Sequence, residues 1–125
     1  MKLSSFLAAK AIISLAFGIG FVAIPAAVWS MYGVTLDPVG ILMTRFLAAC
    51  LIGIGLLCWI TRNADFNTLK GITLSLFIGD TIGFIVALSG QLGDLMNTLG
   101  WIIVAIWFLL ALGLGYFRFL KPSTS

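Results

Sequence analysis

The sequence has no histidine and few charges of either sign, and these absences narrow the chemistry open to it. Without histidine it lacks the commonest general base, the commonest metal ligand and the usual haem ligand. Four acidic residues leave no paired carboxylates and no acidic cluster for a metal. There is no Cys-x-x-Cys motif and no Ser–His or Cys–His combination. The two cysteines, Cys50 and Cys58, fall on one expected helix. Eight residues of helix hold them roughly 12 Å apart, too far to bridge, so they read as packed thiols. The net charge is +3, but the basic residues form no run or stripe, which argues against nucleic acid as a partner.

Apolar residues are abundant. They make up 62% of the 125 residues, and charged residues make up 9%; ordinary soluble domains have about 45–50% and about 25%. A soluble chain this small has too high a surface-to-volume ratio to hide so much apolar surface, so the solvent is lipid. Four apolar stretches, 7–28, 38–60, 69–88 and 95–120, each approach the roughly 20 residues that cross about 30 Å of hydrocarbon. No stretch alternates as a strand would, and an open sheet cannot sit in lipid. The expected fold is all-α: one polytopic domain over 1–125, forming an antiparallel four-transmembrane-helix bundle.

The punctuation agrees. Asp37-Pro38 places an N-cap residue before proline at the first helical position. Residues 63–68 form a polar turn, residues 89–94 a glycine-containing one in which Asp94 is an expected cap, and Pro122 stops the last helix. Lys2, Lys10, Arg62, Lys70, Arg118 and Lys121 all fall on one side of a four-crossing arrangement, whereas Asp37 and Asp94 mark the other. The positive-inside rule then puts both termini in the cytoplasm and disfavours dual topology. Lys10, near the start of the first stretch, is expected to snorkel to the headgroups. Trp29, Tyr32 and Trp101 suit the outer interface and Trp59 and Tyr116 the inner one, which leaves Trp107 near mid-membrane. Residues 25–32 (PAAVWSMY) read either as a short outer-surface helix or as the frayed end of the first crossing. Lys2, Lys10 and the Pro25-Ala26-Ala27 sequence also resemble the regions of a signal peptide, but the apolar stretch is long and a retained helix is expected.

Two charges lie within the apolar stretches, Arg45 in the second and Asp80 in the third. Arg45 is expected about seven residues and roughly 10 Å from the outer end, and Asp80 about nine residues and roughly 14 Å. Helical spacing groups Arg45 with Ala48, Ala49, Ile52, Gly53 and Leu56, and Asp80 with Thr73, Leu76, Gly83 and Ala87. Both faces carry small residues that suit helix packing, so both charges are expected to point inward. A lone charge at mid-bilayer costs at least about 2.5–3.5 kcal/mol, so Arg45 is expected to pair with Asp80. Trp107 and Thr73 or Thr81 are expected to complete this network. Such a pair either fixes helix register, or forms the polar floor of a ligand cavity or a proton-sensitive site.

Gly18-Ile19-Gly20, Gly53-Ile54-Gly55 and Gly113-Leu114-Gly115 lack the strand that precedes a nucleotide-binding fingerprint, and read as sites of close helix packing. Several other features share a pattern: Pro25 closing the first helix, the segment Gly33-Val34-Thr35-Leu36-Asp37-Pro38, Arg45, Asp80, and Leu99-Gly100-Trp101 opening the fourth helix. In these the chain resembles the small bacterial four-helix membrane proteins of the DoxX-like type. The resemblance spans nearly the whole chain and implies an inner-membrane four-helix bundle. Some such proteins are associated with quinone-linked sulfur oxidation, but no residue here matches a catalytic motif. The expected function is non-enzymatic, with no cofactor or metal: the chain holds a lipid or quinone-like apolar molecule, or docks on a larger membrane complex. A small transporter and a membrane enzyme acting on a lipid or quinone are the alternatives. Small multidrug exporters, however, carry their coupling acid in the first helix, and this chain has none there.

Overall fold

The computed structural model describes residues 2–120, so Lys121 and Pro122 lie outside the described residues. The elements are α1 (Leu3–Ala23), α2 (Pro25–Met31), α3 (Pro38–Thr61), α4 (Phe66–Leu92) and α5 (Gly100–Gly115), followed by a π-helical turn (Tyr116–Leu120). There is no strand among the described residues. α1, α3, α4 and α5 with its π turn are each long and apolar enough to cross a membrane. The protein is an all-α four-helix bundle of the multi-pass membrane type. Phe6 meets Phe117 at 5.6 Å, so the start of α1 and the π-helical turn share one end of the bundle. Lys2, Arg62, Lys70 and Arg118 mark this basic end, and Asp37 and Asp94 mark the opposite, acidic end.

Local chemistry sets the boundaries. α1 starts at Leu3, four residues earlier than expected, and stops at Ala23. Pro25 has no N–H to offer and disfavours helical geometry at the residue before it, and Ile24 sits at φ −138°, ψ 59°. The PAAVWSMY segment is therefore a separate helix rather than a frayed end. At α3, Asp37 accepts a hydrogen bond from the Gly40 N–H at 2.6 Å. At α4, Asp65 accepts one from the Thr68 N–H at 3.3 Å, which lets the helix begin at Phe66. Asp94 is not a cap for the last helix: it adopts φ 61° in the turn that closes α4. Asn97 acts there instead, accepting from the Leu99 N–H at 3.0 Å before α5 begins at Gly100.

Asn97 also ties the two loops of the acidic end together. Its backbone N–H donates to the Tyr32 carbonyl at 2.8 Å and its side chain to the Met31 carbonyl at 3.1 Å. The neighbouring Gly33 has φ 77°, a conformation that favours glycine, and a Cβ there would lie 3.3 Å from Asn97.

α1 packs closely on α3 and α4 on α5. Gly18 and Gly55 let the first pair approach: a Cβ at Gly18 would lie 2.7 Å from Ile52, and one at Gly55 2.7 Å from Leu15. Gly83 lies directly beneath the Trp107 ring in the second pair. At the basic end the pairs merge in a core of Leu3, Leu7, Cys58, Leu69, Leu114 and Phe117.

Two predictions follow from these contacts. Gly83→Val forces a side chain into the Trp107 ring and should destabilise the bundle by about 1–3 kcal/mol, whereas Gly79→Ala and Gly53→Ala, which meet open space, should leave thermal unfolding in detergent nearly unchanged. Hydrogen bonds from the side chain and then the backbone of Thr68 hold the Asp65 carboxyl below the usual carboxylate range. Its contribution to α4 is thus present above the ordinary carboxylate pKa and is lost as pH falls through the depressed folded value. Hydrogen exchange at the first-turn amides of α4, corrected for intrinsic rate, should accelerate over that acid range and lose this pH dependence in Asp65→Asn.

Candidate functional site

The buried stripe of α1 consists of Leu3, Leu7, Lys10, Ala11, Ser14, Gly18 and Phe21. Lys10 is on that stripe and 3% exposed. Because α1 starts at Leu3, Lys10 is seven residues into the helix, about 10 Å from its start, and does not snorkel. Its ammonium instead meets Asp80, with Nζ donating to Oδ1 at 3.0 Å and Oδ2 at 2.8 Å. Asp80 is 4% exposed and shares the buried stripe of α4 with Thr73, Leu76 and Ala87. The cation partnering Asp80 is therefore Lys10, and the expected Arg45–Asp80 pair is not formed.

Arg45 differs for a geometric reason. The buried residues of α3 are Thr44, Ala48, Gly55 and Cys58. Arg45 is one position off this stripe, a rotation of about 100°, and it is exposed, as are Ala49, Gly53 and Leu56. Arg45 Nε donates to the Val22 carbonyl at 3.2 Å. That carbonyl lies in the last turn of α1, where the proline break leaves acceptors without helical donors. A cation at this helix C-terminus also complements the dipole. Arg45 thus caps α1 and fastens it to α3.

The expected hydroxyl partners do not join the pair either. Thr81 donates to the Phe77 carbonyl of its own helix at 2.8 Å. Thr73 is 1% exposed, and its Oγ1 has no partner among the described residues. It lies seven residues, about two turns, to the basic side of Asp80. Trp107 is brought to the site: it covers Gly83 and lines the same cavity as Asp80.

That cavity has a volume of about 120 Å³ and is partly open. Lys10 and Asp80 form its floor, at the margin of the apolar core. Phe17, Leu51, Ile106 and Trp107 contribute to apolar walls. Phe21 and Trp29 line it towards the acidic end, stacked with centroids 5.3 Å apart and planes 21° apart. Trp29 belongs to α2, and its indole N–H donates to Thr44 Oγ1 at 3.1 Å, which latches α2 onto α3. Ser14, one turn above Lys10, also faces the cavity.

Lys10, Ser14 and Trp29 are the site residues missed by sequence reasoning. The signal for the first two was present, because Leu3, Leu7, Ala11, Ser14 and Gly18 mark a packing stripe that contains Lys10. Among the described residues no group of three or more cysteines and acids could hold a metal. Chemically, the arrangement is an apolar chamber with a charge-balanced polar floor, suited to holding a small apolar group with a polar tip. The chain matches no known protein family, no curated protein and no solved structure.

The pairing makes a clear mutational prediction. Lys10→Met or Asp80→Leu alone strands a buried charge and should cost about 3–5 kcal/mol, and the double variant should recover most of that loss. Arg45→Met removes one hydrogen bond to a charged donor, worth about 1.5–3 kcal/mol, and should combine additively with Asp80→Leu because the two residues share no partner. A double-mutant cycle by reversible unfolding in mixed micelles measures both couplings.

Proposed function

We propose that the chain is a small multi-pass protein of a bacterial inner membrane, with its basic end in the cytoplasm, that binds an apolar molecule such as a lipid or quinone-like compound. The DoxX-like resemblance belongs to this proposal and supplies its architecture but no activity. The observation that carries it is the cavity bounded by Lys10 and Asp80 at one end and by the Phe21–Trp29 stack at the other. A buried ion pair that only fixed helix register would be most stable fully packed by side chains, since empty space forfeits contacts. Here the pair borders open volume instead. At about 120 Å³ the chamber is comparable to a cavity of about 150 Å³ that accepts benzene. It therefore admits a single ring or a short chain segment rather than a whole lipid, and the remainder of a larger molecule leaves through the open side. With no histidine in the sequence and no paired acids or metal-binding cluster among the described residues, retention of a molecule rather than its turnover is the reading favoured by the residues present.

Native mass spectrometry of the protein extracted gently from its own membrane tests this. The expected result is a defined small-molecule adduct that is lost in the Lys10→Met/Asp80→Leu double variant. A stoichiometric protein partner without an adduct would replace this reading with that of an accessory subunit.

A further inference from the structure

We infer that the group seated on the Lys10–Asp80 floor is an uncharged hydroxyl carried on a single ring, as in a phenol or a cyclic alcohol. This rests on the cavity being the binding site and adds what the site selects for. Charge comes first. The floor holds one cation and one anion in contact at 2.8 Å, so it presents no net charge to a ligand. An anion there would be stranded against Asp80 and a cation against Lys10, in a medium where unpaired charge is costly.

Hydrogen-bonding capacity comes second. An ammonium has three donors and a carboxylate about four acceptor positions. The two contacts between Lys10 and Asp80 leave both donor and acceptor capacity beside an apolar chamber. A hydroxyl both donates and accepts through one atom, so it can serve Lys10 and Asp80 together. A carbonyl can only accept, so of a quinone-like compound the floor selects the reduced, hydroxyl-bearing form. The Ser14 hydroxyl, one turn along α1 and also lining the chamber, offers a second contact. Shape comes third. The volume suits one six-membered ring, and Phe17, Phe21, Trp29 and Trp107 supply aromatic faces and edges for it.

The test compares phenol, toluene and benzoate as probes of the purified full-length protein in micelles. Binding is followed by ligand-observed NMR, and each affinity is referred to the probe's concentration in the detergent phase. The expected result is phenol bound about tenfold or more tighter than toluene, the discrimination that one hydrogen bond to a charged group supports, with benzoate weakest. In Lys10→Met/Asp80→Leu the preference for phenol should vanish while toluene still binds. If that variant does not fold, Ser14→Ala should narrow the preference without abolishing toluene binding. Equal affinity for phenol and toluene would overturn this inference but leave an apolar binding cavity in place. Benzoate bound more tightly than phenol would replace it with an anion site on Lys10. No binding of any probe would overturn both this inference and the cavity reading on which it rests.

Discussion

A charge in hydrocarbon must find a counter-charge, and the bundle is organised around the place where Lys10 finds Asp80. α1 packs with α3 and α4 with α5, so this contact links one helix pair to the other. Its value need not lie in net stability. Desolvating two ions offsets much of their attraction, and apolar replacements of similar volume are often as stable. It does fix which faces of α1 and α4 meet, because any rotation of either helix strands a charge. On the basic side of the pair the helices close into a core of Leu3, Leu7, Leu69, Leu114 and Phe117. On the acidic side they enclose the cavity. The pair thus marks the boundary between the packed half of the molecule and the hollow half.

The proline break is the complementary device at the other end. Pro25 stops α1 and turns the chain into α2. This frees carbonyls that lipid cannot satisfy, and Arg45 covers one of them at Val22. The turn brings Trp29 back over the chamber, where it stacks on Phe21 and bonds to Thr44. Asn97 holds the far end of α2 through the Met31 and Tyr32 carbonyls. A short helix with little core of its own is therefore held in place by hydrogen bonds to α3 and to Asn97 and by ring stacking on α1.

Hydropathy made the four crossings and their common end legible in the sequence, because lipid imposes length and polarity on every spanning helix. The face of Asp80 was legible too, since Thr73, Leu76 and Ala87 repeat at helical spacing around it. Its partner was not. Placing the start of α1 at residue 7 left Lys10 within reach of the headgroups, whereas a start at Leu3 buries it one turn deeper. Hydropathy marks where apolar residues begin, and Leu3-Ser4-Ser5-Phe6 is too mixed to register although it is helical. Arg45 failed for a finer reason. A one-residue error in the stripe of α3 is a rotation of about 100°, and small residues lie on both candidate faces of that helix. The cavity itself had no sequence signature, since emptiness depends on how side chains from three or more helices meet.

These features agree on one kind of object, a lipid-embedded chamber with a charge-balanced floor and an aromatic roof. The whole arrangement turns on the contact between Lys10 and Asp80. The most direct test is solid-state NMR in lipid bilayers, with ¹⁵N in the lysine ammonium and ¹³C in the aspartate carboxyl, assigned through single substitutions. A strong dipolar coupling between Lys10 Nζ and the Asp80 carboxyl is expected, consistent with contacts of 2.8 and 3.0 Å. A Lys10 ammonium coupled to lipid phosphate instead, with the Asp80 carboxyl coupled to the Arg45 guanidinium, would contradict it.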